Sequence, residues 1–324
     1  MKEHLKKYID QSGTPEVRGL RILLEYFYAT EIFKKITSSQ SRIISVFGSA
    51  RTQPHSPEYR IAHRVGWLLY QMGFAVVTGA SRGIMQAANQ GVADAIAADL
   101  LKGRRKGPSE EEIRHSQAYR RILERHSVGL SISLPMELES NPFVGVGATF
   151  HYFMVRKFFF GSLSSGFIAC EGGWGTRDEL FEILTLVQTG KAPLMPIIYL
   201  SPDPSHMARD IRHALKKGYI SPADTHLIHL VRTPEEAVRE IGRFYRNVNR
   251  ILYERDQSVR IQLKSSPTQE RKKSFERLLE KDGDERLVAL DLEWKKKEVI
   301  LHQYSPNSYG SLRCAIDLLN QPLR

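Results

Sequence analysis

Apolar positions along this chain follow two rhythms. Mostly apolar runs, several of them followed by glycine or other small residues, alternate with stretches whose apolar positions fall three and four apart. Runs of the first kind are Ile43–Ala50, the stretch from Val76, Val128–Leu134, Gly166–Cys170 and Pro193–Leu200. They read as strands buried on both faces. Stretches of the second kind are Tyr59–Gln71, Leu180–Gln188, Met207–Lys217 and Pro234–Tyr245, the last with Thr233 as its cap. They read as helices. The alternation predicts an α/β fold, a doubly wound parallel sheet. Residues 1–40 form a separate helical extension, with Leu20–Tyr28 apolar at helical spacing. A core of residues 41–249 follows. Beyond it the rhythm changes. Val259–Leu263 alternates like an edge-type strand, Gln269–Lys281 reads as helix, Leu287–Leu292 and Val299–Gln303 as strands, and Ser308–Leu319 as helix. Residues 250–324 are thus expected to form a small α+β appendage that supplies no catalytic group.

Three of the strand-to-helix junctions are rich in small residues: Gly48-Ser49, Thr78-Gly-Ala-Ser-Arg-Gly83 and Glu171-Gly-Gly-Trp-Gly-Thr176. In a doubly wound sheet such turns lie at the carboxyl ends of the strands, where ligands bind. Gly172, Gly173 and Gly175 permit a close backbone approach, and the open N–H groups of the following helix favour an anion. None of the three is G-x-G-x-x-G, so a dinucleotide is not indicated. Glu179 sets a carboxylate beside the third turn, an odd choice for a site that only binds phosphate. A bland reading competes with this one. Thr176-Arg-Asp-Glu179 also fits a capping box, with Thr176 as cap and Glu179 bonding back to it.

Composition narrows the field. The chain has 324 residues and no apolar run long enough to span a membrane. The segment Met1–Lys7 lacks a signal-like apolar core, and the two cysteines, Cys170 and Cys314, form no metal-binding spacing, so the expected location is cytoplasmic. The net charge is +11. Basic residues are nevertheless scattered among acids, with no RNA-binding signature. Nucleic acid is therefore not the expected partner, and attraction of a phosphorylated small molecule uses the same potential. The charged stretch Asp99–His126 reads as a lid or, by preference, a solvated excursion. Arg156-Lys157 sits in an aromatic run and, on spacing alone, reads as charges snorkelling from an apolar helix. His151 reads as a packed residue.

Thr78-Gly-Ala-Ser-Arg-Gly-Ile-Met85 with Gln86-Ala-Ala-Asn89, Phe150–Lys157, Gly172–Glu179 and Val187-Gln-Thr-Gly-Lys191 occur in that order. In this the chain resembles the Lonely Guy (LOG) family, and its longer bacterial branch most closely. The resemblance runs from about Ser41 to Tyr245. It implies a Rossmann-like catalytic domain and a hydrolase, a nucleoside 5′-monophosphate phosphoribohydrolase. Such an enzyme releases the base and ribose 5-phosphate from a nucleotide such as AMP, with no cofactor or metal, and works as a homodimer. It further implies Arg156 and Glu179 as the catalytic pair. The substrate-binding set would be Gly48, Ser49, Gly79, Ser81, Arg82, Gly83, Met85, Lys157, Gly172, Gly173, Gly175 and Thr176. The sequence departs from the family at Glu171, where the family has Pro, and at Ala80, Ser81 and Arg82, where it has Gly, Gly and Pro. Side chains at Ala80 or Ser81 restrict backbone approach, Arg82 adds a guanidinium, and Glu171 weakens a phosphate site if it points inward. These changes keep a second reading open, that of a carrier holding a nucleotide or a phosphorylated pterin such as the molybdenum cofactor. Pyridoxal-dependent decarboxylation would need a Schiff-base lysine in a pocket, which no motif supplies.

Overall fold

The computed structural model describes residues 14–37, 41–102, 108–133, 140–281, 291–304 and 309–321. Expectations for residues 1–13, 38–40, 103–107, Leu134, 287–290 and Ser308 fall outside these. Helix α1 (Pro15–Thr37) comes first. Then follow β1 (Ile43–Phe47), α2 (Pro57–Gln71), β2 (Ala75–Thr78), α3 (Ile84–Leu101), α4 (Glu110–His115), α5 (Gln117–His126), β3 (Ser127–Ile132) and β4 (Val146–Phe150). After these come α6 (Phe153–Leu163), β5 (Ser164–Cys170), α7 (Trp174–Gln188), β6 (Ile197–Leu200), α8 (Ser205–Lys216), β7 (Ile228–Val231) and α9 (Pro234–Phe244). The chain continues with β8 (Val248–Tyr253), β9 (Val259–Leu263), α10 (Gln269–Lys281), β10 (Asp291–Lys295), β11 (Glu298–His302) and α11 (Gly310–Leu319).

Among the described residues the main sheet has seven strands in the order β4-β3-β2-β1-β5-β6-β7, all neighbours parallel. Successive crossovers run outward from β1 to β4, then return to the other side of β1 with β5. The switch point therefore lies between β1 and β5, where a doubly wound sheet opens a crevice at its carboxyl ends. The inner strands are buried on both faces because each alternates its residues between two cores. Ile44, Val46, Ile168, Cys170 and Ile198 pack with α2, α3 and α9. Phe47, Val77, Phe167, Ala169 and Ile197 pack with α1, α6 and α7. Cys170 belongs to that packing, and burial pushes its thiol pKa up to about 12.

A second, antiparallel sheet, ordered β10-β11-β9-β8, begins at Val248. Its helices are not a loose addition. Leu312, Ile316 and Leu319 of α11 share one core with Val187 and Phe244 of the main unit. The Asn320 side-chain oxygen accepts from the amides of Asn247 and Val248, 2.9 Å each. Where it is described, Asp99–His126 is largely exposed but anchored along one face. Helices α4 and α5 bury Ile113 and Tyr119 in the core that α3 shares, and Arg114 binds Asp94 of α3 at 2.7 Å.

Candidate active site

The three small-residue turns meet at the switch point, and Ser49 joins them. Its amide donates to the Glu171 carbonyl (3.1 Å) and its carbonyl accepts from the Ile84 amide (3.0 Å). Glycine is required where backbones come this close. A Cβ on Gly83, whose φ is +66°, would fall on the Ser49 carbonyl. One on Gly172 would fall on the Thr176 hydroxyl and 3.0 Å from the Ser49 amide, and one on Gly48 would strike Ile84. On Gly79 it would reach Met85 Sδ at 2.9 Å and Arg156 Nη1 at 3.8 Å, which places the second turn against the arginine. Gly173 and Gly175 have open space where a side chain would go.

The helix after the third turn starts earlier than a Thr176 cap requires. Gly173 is the N-cap and makes no side-chain cap bond, and the first helical bond runs from the Arg177 amide to the Gly173 carbonyl at 3.2 Å. Thr176 is thus a buried residue of the first turn, and the amides of Trp174, Gly175 and Thr176 precede the helical ladder. The capping box does not form. Glu179 turns instead to Arg156, whose Nη2 donates to its Oε1 at 3.0 Å. The two side chains are 5% and 10% exposed, so both charges lie in a low-dielectric site. Burial raises the Glu179 pKa, against the opposing pull of Arg156 and Lys157. The Arg156 guanidinium lies over the Phe153 and Phe160 rings, at 5.0 and 5.8 Å, so it does not snorkel to solvent.

Lys157 faces elsewhere, binding Asp178 at 2.8 Å and Glu182 at 2.7 Å. Burial pulls its pKa down, but these two bonds outweigh it and hold the ammonium above its ordinary range. Glu171 is exposed, and its carboxylate accepts from the Ser201 hydroxyl at the end of β6. Ser81 is half-buried and Arg82 exposed beside the second turn. Ala80 adopts φ +59°, the left-handed region that glycine would fill without strain.

A buried polar network that the sequence reading missed holds the second turn. The Thr78 hydroxyl accepts from the Ala80 amide (3.0 Å) and donates to Asn89 Oδ1 (2.7 Å). Asn89 Nδ2 donates to the Ser127 hydroxyl at 2.9 Å. Asn141 donates from Nδ2 to Asn89 Oδ1 (3.1 Å) and from its amide to the Ala80 carbonyl (2.8 Å). The available signal was Asn89 itself, an amide in the middle of an alanine-rich helix, which must be satisfied if buried.

Two family profiles match this chain. The profile described as "SLOG cluster4 family" matches residues 41–110, and that described as "possible lysine decarboxylase" matches residues 112–241. A probable cytokinin riboside 5′-monophosphate phosphoribohydrolase of Oryza sativa subsp. japonica is 30% identical over 124 residues, 37% of this chain and 50% of that protein. The match thus spans half the length of that relative. Similar solved structures include the molybdenum cofactor binding protein of Rippkaea orientalis, with 19% identity, a TM-score of 0.39, and coverage of 61% of this chain and 94% of that one. The Moco carrier protein of Chlamydomonas reinhardtii is similar at 19% identity and a TM-score of 0.38, with coverage of 61% and 94%. The two profiles adjoin across the main sheet and all three turns, and together with the rice relative they support membership of the LOG family.

Proposed function

We propose that this chain hydrolyses the N-glycosidic bond of a nucleoside 5′-monophosphate, AMP or another purine nucleotide, to the free base and ribose 5-phosphate. The observation that carries the reading is the buried Arg156–Glu179 pair beside the switch-point turns. A pure phosphate cradle has no use for a buried carboxylate. The 5′-phosphate rests on the first-turn amides of α7 and on the Ser81–Gly83 turn, with the Thr176 hydroxyl helping. That anchor orients the ribose. As the C1′–N bond lengthens, positive charge gathers on the ribose. Ionised Glu179 stabilises that charge and orients the attacking water, whose oxygen bonds C1′ while the bond electrons leave with the base. Arg156 stabilises the departing base by charge and hydrogen bonding. It does not donate the proton, since a guanidinium stays protonated; that proton comes from water.

The printed description of the profile over residues 112–241 raises pyridoxal chemistry. The residues do not fit it. A Schiff-base lysine must reach its neutral amine, and Lys157 is held charged by two carboxylates. The test of the hydrolase reading is incubation with a panel of nucleotides, assayed for base and ribose 5-phosphate. AMP is expected to be cleaved and adenosine to be spared. Equal cleavage of the nucleoside defeats the phosphate cradle, and tight binding of a nucleotide or phosphopterin without product indicates the carrier instead.

A further inference from the structure

Helix α6 delivers Arg156, yet its own sequence does little to fix its start. Its N-cap is Tyr152, which makes no side-chain cap bond, and its first turn holds no acid. A carboxylate from elsewhere fills the gap. Glu25 of α1 accepts from the His151 amide through Oε1 and from the Tyr152 amide through Oε2, the latter at 3.2 Å. Its Oε1 also lies 3.4 Å from His151 Nδ1. This is a bidentate, charge-assisted clamp at the positive end of a helix. The link to the arginine is short, because the Arg156 amide donates to the Tyr152 carbonyl at 3.2 Å. Glu25 is an outlier on its own helix. The same face of α1 buries Ala29, Phe33 and Ile36, and the Glu25 side chain is only 10% exposed. A carboxylate on an apolar face is costly unless fully bonded. Phe33 also stacks on Phe159 of α6, with ring centroids 4.1 Å apart. Tyr26 stacks on Phe159 as well, at 5.3 Å, so several contacts tie α1 to the arginine helix, and α1 lies outside both family matches.

We propose that Glu25 is a positioning residue for Arg156, fixing the start of α6 and with it the place of the guanidinium opposite Glu179. The inference rests on the hydrolase reading for its catalytic consequence. The full-length protein tests it. Glu25→Ala is expected to lower kcat on AMP by about tenfold or more, the scale of a slightly misplaced catalytic group. The KM is expected to stay within about twofold, because the phosphate turns are untouched. Glu25→Gln, whose amide oxygen still accepts from one of the two amides, should recover most of the rate. In an Arg156→Lys background, Glu25→Ala should cost nothing further, since the two act as a unit. A wild-type kcat with only a lowered melting temperature, or an equal loss in both backgrounds, overturns the proposal. If Glu25→Ala does not fold, Glu25→Leu, which keeps the bulk but has no acceptor, is read in the same cycle: a loss of about tenfold that vanishes beside Arg156→Lys supports the proposal, and no loss overturns it. If the wild type does not cleave AMP, the hydrolase reading alone has failed. The place of the guanidinium is then read directly from the Arg156 Nε–H signal by NMR, where a shift in Glu25→Ala supports positioning and an unchanged signal overturns it.

Discussion

The Glu179 carboxylate carries the most consequence per atom. Glu179→Gln removes the charge but keeps an oxygen that accepts from Arg156. Turnover on AMP should fall by roughly 10²-fold or more, the scale of losing a main electrostatic stabiliser, with little change in melting temperature. Arg156→Ala should lose activity too, and normal turnover in either variant removes that residue from the mechanism. The pH dependence has a definite sign. Burial raises the Glu179 pKa, and the proposed hydrolysis uses the ionised form. The rate should therefore fall on acidification with a midpoint above the ordinary glutamate value of about 4.3. The stability term runs the other way, since a raised carboxyl pKa favours the folded state at low pH and loses that contribution as pH rises through it. Gly83 tests the joint between turns. Gly83→Ala combines a left-handed backbone, costing about 1–2 kcal/mol, with a methyl placed on the Ser49 carbonyl. We expect a lower melting temperature and weaker AMP binding; an unchanged protein would mean the two turns do not meet as described.

At the scale of elements, the buried strands and amphipathic helices of the main sheet were legible because their rhythm is strong. Strands β4, β7 and β8 escaped it. Val146–Phe150 is an edge strand of mostly small residues, Ile228–Val231 is only half-buried, and Val248–Tyr253 carries polar side chains in mid-run. The placement of the glycine turns was legible as well, because a turn chemistry is local. The partners of Glu25, Asn89 and Lys157 were not, because those bonds join residues far apart in sequence. The same holds for the joint between α9 and α11. Arg313 Nη2 donates to Glu240 Oε1 at 2.6 Å, and Nε binds Asp317 at 3.2 Å, with Arg313 fully buried. Arg313→Ala leaves Glu240 buried without its main partner and should cost about 3–5 kcal/mol, whereas Arg313→Met with Glu240→Leu should recover most of it. Denaturant midpoints decide between these. His229, 3.5 Å from Glu240, is held down to about 4 by burial and then by the Arg313 charge. Its lowered pKa contributes stability that is present above the unfolded value of about 6.5 and is lost as pH falls towards the folded one. His229→Gln should flatten the stability profile across that window; an unaltered acid limb would assign the loss to other groups.

For the whole molecule, the shared core changes what the appendage can be. An appendage that supplies no catalytic group implies that a chain ending near Asn249 keeps activity. The structure opposes that experiment, because such a cut strips α11 from the core around Val187 and Phe244 and removes Arg313 from Glu240. The face of α1 turned away from that core raises a different question. Leu20, Leu23, Leu24, Phe27 and Tyr28 form a helical stripe that is 52–68% exposed. Phe153, Met154 and Phe158 of α6 extend it, at 48–62% exposure, and Tyr26 bridges the two helices by packing on Phe158 at 5.5 Å. At roughly 100 Å² apiece, these eight side chains offer about 800 Å², the share one partner gives to a stable interface. We propose that a second copy of the chain covers this face in a homodimer, pairing the same patch on both subunits. Light scattering coupled to size exclusion should give twice the chain mass at assay concentration. Leu24→Asp with Phe27→Asp should halve that mass while leaving the fold intact, since both side chains point away from the core. Because Phe153 of the same patch lies under Arg156, the monomeric variant should also lose turnover. A wild-type chain that is monomeric and fully active at assay concentration would refute the dimer, and a monomeric variant with wild-type turnover would show that the interface does not shape the site.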